Sequence, residues 1–238
     1  MGQCLNKNTI APDTRSITAK KTSTRIMQVL AKKKGEVDKN GQPMSFEKIL
    51  LRFEKLRVVI AYIKAIFKEQ SNGKNGLNFE GLKESLRILH GPMERQEIAE
   101  LFEFVDLDDS KIIEFKEFLV ALTVGHVLNI LPNNGTVSEG ASSRQVNLTQ
   151  VQGLTCKAED IDMILNLIVS AYLLFDPTGV GHIDRKAVTN LICESSGKKN
   201  AMLSQQRWDE MDWDANGSID FPEFVQAFSS WVDLETDE

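Results

Sequence analysis

Asp212, Asp214, Asn216, Ser218, Asp220 and Glu223 fall at positions 1, 3, 5, 7, 9 and 12 of one twelve-residue stretch, with Gly217 at position 6. No other feature restricts the fold of this chain so tightly. Ca2+ is a hard cation that takes about 6 to 8 oxygens at roughly 2.3 to 2.6 Å, and alternating side chains on a bent loop converge on such a centre. Asp212, Asp214 and Asn216 offer side-chain oxygens, Ser218 a backbone carbonyl, and Asp220 an oxygen used directly or through water. Glu223 closes the shell with both carboxylate oxygens. Gly217 stands where the chain must reverse in a left-handed conformation that a side chain resists. The bland alternative is an acidic turn, which does not account for five fixed positions met at once.

The loop belongs to a repeat. Comparable stretches begin at Gln70, Asp106, Asp176 and Asp212, and the two members of each pair are 36 residues apart. Their eighth positions hold Leu77, Ile113, Ile183 and Ile219, so Leu77 should pair with Ile113, and Ile183 with Ile219, in a small two-stranded sheet. Apolar residues at helical spacing flank each loop. Ser45 can cap a helix carrying Phe46, Ile49, Leu50, Phe53, Leu56, Ile60, Ile63 and Phe67. Leu82, Leu86 and Leu89 mark the next, and Pro92 stands at a first helical position ahead of Ile98, Leu101, Phe102 and Val105. Thr155 can cap a helix with Ile161, Ile164, Leu165, Ile168, Tyr172 and Phe175 on one face.

Not every loop keeps its ligands. The first has Gln70, Asn72 and Lys74 where carboxylates belong and Gly81 at the closing position, so it should not hold an ion. The third keeps Asp176, Thr178 and Asp184 but has Val180 and Ala187 at two ligand positions and should be silent as well. The second offers Asp106, Asp108, Ser110, Glu114 and Glu117, with a carbonyl from Ile112, but Lys111 replaces the glycine. A left-handed lysine costs roughly 1 to 2 kcal/mol, about a 5- to 30-fold loss of affinity. The expectation is weaker binding there, with a purely structural acidic loop as the alternative. His182 is expected to be exposed rather than a ligand, and His90 and His126 to be surface or helix-end residues.

On the loop 212–223 and the paired 36-residue spacing, the chain resembles the calmodulin-like family of EF-hand calcium sensors over residues 46 to 231. Its tail and linker are similar to those of the longer plant members. The resemblance implies an all-α fold of two lobes, each a pair of helix-loop-helix hands joined by a short two-stranded β pairing. It also implies one or two bound calcium ions and an apolar groove that opens to grip an amphipathic target helix. Phe118, Leu119, Leu122, Val127 and Leu128 are candidate groove residues in one lobe, and Phe224, Val225, Phe228 and Trp231 in the other. A calcium buffer and a calcium-independent adaptor are the competing readings.

The expected domains are a basic flexible extension (1–44), a first hand pair (45–131), a flexible linker (132–154) and a second hand pair (155–238). The extension holds nine Lys and Arg against three acids, a formal +6, while the whole chain is −6. Gly2 and Cys4 are placed for myristate and palmitate, and Lys20, Lys21, Arg25 and Lys32 to Lys34 form the basic patch that a single acyl chain needs for stable membrane attachment. Asn6, where that pattern wants Ser or Thr, weakens the match. Three cysteines at unrelated spacings argue against a disulfide framework or a zinc site and favour a reducing compartment. No apolar run is long enough to span a bilayer and no secretory signal is evident. The expected location is therefore cytoplasmic, peripheral at a membrane if acylated. No catalytic motif is present, so no enzyme activity and no nucleic-acid partner are expected.

Overall fold

The computed structural model describes residues 17–39, 52–106, 108–132, 156–186 and 208–233. Among these, the helices are α1 (Ile17–Lys39), α2 (Phe53–Gln70), α3 (Phe79–His90), α4 (Arg95–Val105), α5 (Phe115–Val127), α6 (Ala158–Phe175) and α7 (Phe221–Asp233). Strands β1 (Ile183–Asp184) and β2 (Ser218–Ile219) pair antiparallel, with Ile183 opposite Ile219. Leu77 and Ile113 form an isolated antiparallel bridge through reciprocal bonds of 2.9 and 2.8 Å. All four eighth-position side chains are fully buried.

Local chemistry sets the helix ends. Asn78 accepts a bond from the Gly81 amide at the start of α3, Glu80 lies in its first turn and Arg87 in its last, both charges favourable to the helix dipole. α4 begins at Arg95, with Glu94 at its cap position in an extended conformation. Pro92 therefore precedes the helix instead of opening it, a correction that follows from the irregular turn at Gly91, whose φ is 101°. The helix expected from Ser45 is described from Phe53 onward; 45–51 and Thr155 lie outside the described residues.

The repeat also governs the packing. Phe67 at the end of α2 meets Phe115 and Phe118 of α5, with ring centroids 5.4 and 5.9 Å apart. In the second pair, Tyr172 near the end of α6 meets Phe221 and Phe224 of α7 at 5.1 and 5.5 Å. In both cases the helix entering the first loop packs on the helix leaving the second. The two pairs share one core: α5 packs on α6 and α7, and α2 packs on α6. Lys55 of α2 also pairs with Asp160 of α6 at 2.7 Å.

The basic extension departs further from expectation. Residues 17–39 of the stretch expected to be a flexible extension form α1, which packs on α4 and α5. Ala19, Thr22, Ile26 and Leu30 share one face and are buried, and burying Ile26 and Leu30 stabilises the seat by about 1.5 to 3 kcal/mol each. His90 stands at the end of α3, one of the two places expected for it, but is buried there, and its Nε2 has no hydrogen-bond partner. Burial and the nearby His126 hold its pKa down to about 4. His126 is half-buried in the last turn of α5, with Nδ1 3.8 Å from Asp162 Oδ1.

Candidate metal centre

The last loop follows helical residues Trp208 to Met211 and ends in α7. Gly217 has φ 88° and Ala215 has φ 54°, so the chain turns left-handed twice. The first bend was legible in the sequence; the second was not. Its signal lies in the silent third loop, where Gly179 fills the same fourth position with φ 66°.

These bends aim backbone amides inward. Asp212 Oδ2 accepts from the Gly217 amide at 3.1 Å and from the Trp208 indole Nε1 at 3.1 Å. Trp208 stands four residues ahead of Asp212 and fixes its carboxylate, a positioning role that the motif itself does not reveal. Asp214 accepts from the Asn216 amide and side chain at 3.0 and 2.7 Å. Asn216 Oδ1 accepts from the Ser218 amide and hydroxyl at 2.8 and 2.7 Å. Asp220 and Glu223 cap the start of α7 reciprocally, at 2.8 and 3.0 Å.

Ligand atoms of Asp212, Asp214 and Glu223 lie within 4.8 Å of one another. Oxygens on opposite sides of a calcium ion would be up to about 5 Å apart, twice the metal-oxygen distance. Asp212 Oδ1 and Glu223 Oε1 are buried with no hydrogen-bond partner. A buried carboxylate oxygen without a donor is costly, and a divalent cation is the group that offsets such a cost. Burial pushes the Glu223 carboxyl up to about 8, and the neighbouring Asp220 and Asp214 push in the same direction. The residues present therefore fit a hard cation. Among the described residues, no other group of three His, Cys, Asp or Glu converges in this way.

The second loop has the same bends, with φ 57° at Asp109 and 62° at Lys111. Its carboxylates are otherwise occupied. Asp106 Oδ1 accepts from the Ser110 hydroxyl at 3.3 Å, and Oδ2 from the Lys111 amide at 3.1 Å. The Lys111 ammonium pairs with Asp109 and lies 3.9 Å from Asp106 Oδ2. The Ser110 hydroxyl also donates to the Ile112 carbonyl at 2.8 Å, the oxygen expected to serve as a ligand. Hydrogen bonds from Ser110 hold the exposed Asp108 carboxyl below the usual range. Glu117 Oε2 accepts from the Glu114 amide at 2.9 Å, as Glu223 does from Asp220.

The other two loops differ again. In the third, both oxygens of the buried Asp176 are used, by Thr178 and Val180 at 3.2 Å and by Gly181 at 2.8 Å. His182 is exposed. In the first, the left-handed residues are Asn72 and Gly73, and Asn75 at the sixth position is not among them. A Cβ on Gly76 would come within 2.7 Å of the Ile113 carbonyl oxygen, so this loop is kept for its contact with its neighbour. Ala187, Gly2 and Cys4 lie outside the described residues.

No family model matches the chain. Two proteins of Arabidopsis thaliana do. The probable calcium-binding protein CML21 is 29% identical over 195 residues, covering 82% of this chain and 78% of that protein. The probable calcium-binding protein CML22 is 29% identical over 195 residues, covering 80% and 79%. Over about four-fifths of its length the chain is thus similar to calmodulin-like calcium-binding proteins. Troponin C, isoform 2, of Drosophila melanogaster is 23% identical over 171 residues, covering 71% of this chain and 91% of its own length. The second, third and last loops thus share left-handed bends at their fourth and sixth positions but present different oxygens, and the first loop departs from that path.

Proposed function

We propose that the protein is a calcium sensor that binds Ca2+ through Asp212, Asp214, Asn216, the Ser218 carbonyl, Asp220 and Glu223. The observation that carries this reading is the pair of buried, unpartnered oxygens, Asp212 Oδ1 and Glu223 Oε1, beside Asp212 Oδ2 and Glu223 Oε2, which already accept hydrogen bonds within the loop. The ion supplies the positive charge that lets these carboxylates ionise while buried. Trp208 and Gly217 hold Asp212 in place, and Glu223, at the foot of α7, passes the closing of the loop to that helix. A second, weaker ion at Asp106, Asp108, Ser110, Ile112, Glu114 and Glu117 has to displace Lys111 and turn the Ser110 hydroxyl away.

The groove candidates Phe118, Leu119, Leu122, Val127, Phe224, Val225 and Phe228 are buried, and their helices α5 and α7 pack together. In our reading, a shift of α7 on filling uncovers this apolar surface for an amphipathic helix of a target protein. Trp231 has no described side chain. No catalytic step and no nucleic-acid partner are assigned. Among the described residues, no helix is long and apolar enough to cross a membrane. We place the chain in the cytoplasm, with acylation at Gly2 and Cys4 and the basic stretch drawing it to a membrane surface. On that reading, Gly2→Ala moves the protein from the membrane to the soluble fraction.

Titrating calcium while following a hydrophobic-surface dye tests the sensor. Binding with dye uptake is expected. Binding without uptake would favour a buffer, and no binding a constitutive adaptor.

A further inference from the structure

Helix α1 carries seven Lys and Arg against two acidic residues. Its buried face holds Ala19, Thr22, Ile26 and Leu30, while Lys20, Lys21, Arg25 and Lys32 are exposed. It is a basic amphipathic helix by construction. The surface that receives it has the opposite charge, for α4 carries Glu97, Glu100 and Glu103 against Arg95. The seat continues over the back of the third loop. A Cβ on Gly181 would come within 2.9 Å of Met27 Cγ, and one on Gly179 within 3.1 Å of Lys34 Cγ. These two glycines keep the surface flat enough for a helix to lie on it.

The fit is shallow. α5 buries Glu117 and every residue from Phe118 to Gly125, whereas α1 buries four side chains in this stretch, among them a small Ala and a polar Thr. Apolar Ile17 and Met27 are exposed at 89% and 41%. A cavity of about 390 Å³ separates Lys20, Thr24 and Met27 from His182, Asp220 and Pro222, so larger side chains could be seated than those α1 provides.

We propose that α1 is a built-in occupant of a docking surface formed by α4, α5 and the back of the third loop, beside the α5–α7 groove, so that an external helix seats there only by displacing residues 17–39. The proposal rests on the target-binding reading above and sharpens it. The partner is a basic amphipathic helix with apolar residues in the register of Ala19, Thr22, Ile26 and Leu30, and bulkier ones opposite the cavity. Because α1 is tethered, it competes at a high effective concentration, and affinity for the partner is reduced by the fraction of time the seat is covered.

The test uses the full chain and, as probe, a fluorescent synthetic peptide of residues 17–39. Binding is followed by anisotropy to wild type and to the Ile26→Asp/Leu30→Asp double variant, whose own α1 should leave its seat. The variant is expected to bind the peptide at least tenfold more tightly than wild type. Equal affinities, or no binding to a variant that keeps its helical circular dichroism and its calcium binding, would overturn the proposal. Amide exchange on the wild type gives a second reading that does not depend on the variant folding. Residues 17–36 should open faster than α5, and exchange of both only through one global opening would also overturn it. These outcomes stand apart from the dye titration: a calcium response without competition by α1 sinks this proposal alone, and peptide binding without dye uptake sinks only the sensor.

Discussion

The last loop and the second loop follow nearly the same path yet are prepared for different states. Left-handed residues fall at the same two positions in each, and the same reciprocal cap closes both. In the last loop, Asp212 gives both of its protein bonds to Oδ2, which leaves Oδ1 buried and unpartnered. In the second loop, Asp106 shares its bonds between its two oxygens, and Lys111 brings a charge of its own. Backbone shape is thus inherited with the repeat, while readiness for an ion depends on which lone pairs the loop has already spent.

The largest effect expected from this contrast comes from the closing glutamates. Glu223→Gln should weaken the tighter calcium site on the order of a hundredfold, because a charged bidentate ligand is lost, while Glu117→Gln should leave that site unchanged. Calorimetric titration of both variants checks this. Next comes Lys111→Gly, which relieves a left-handed side chain at φ 62° and removes the ammonium beside Asp106. The second loop should gain about 5- to 30-fold in affinity from a relief of roughly 1 to 2 kcal/mol, seen as a strengthened second binding step.

Proton linkage separates the loops further. Glu223, pushed up to about 8, holds its proton at neutral pH, so calcium must displace it. Affinity at the last loop should rise about tenfold per pH unit toward 8 and then level off, with proton release measurable from the buffer dependence of the binding enthalpy. The ion-free fold runs the opposite way: this raised pKa stabilises it at low pH and is lost as pH climbs from 4.5 toward 8. At the second loop, hydrogen bonds from Ser110 hold the Asp108 carboxyl below the usual carboxylate range, so Asp108 itself keeps no proton for calcium to displace. The smallest effect is expected at His182, which is exposed: His182→Ala should change calcium affinity less than about twofold.

The sequence was most informative where chemistry recurs at fixed spacing. The 36-residue pairing placed the hands, and the eighth-position residues identified Leu77 with Ile113 and Ile183 with Ile219 before any coordinates. It was less informative where a contact crosses the fold. α1 looked like a solvated basic tail because only one residue in each turn is buried, a period that its many lysines conceal. Trp208 on Asp212 and Ser110 on the Ile112 carbonyl depend on rotamers and bends, so no residue count could expose them. Nor does helical spacing say that α5 and α7 would bury their apolar faces against each other.

The amides of Gly217 and Lys111 offer the most direct test, since each donates to the first-position aspartate of its loop. In a calcium titration followed by amide nuclear magnetic resonance on the full chain, the account predicts that the Gly217 signal moves and saturates first. The Lys111 signal should follow only at higher calcium. Lys111 responding first, both saturating together, or neither moving at millimolar calcium would contradict it.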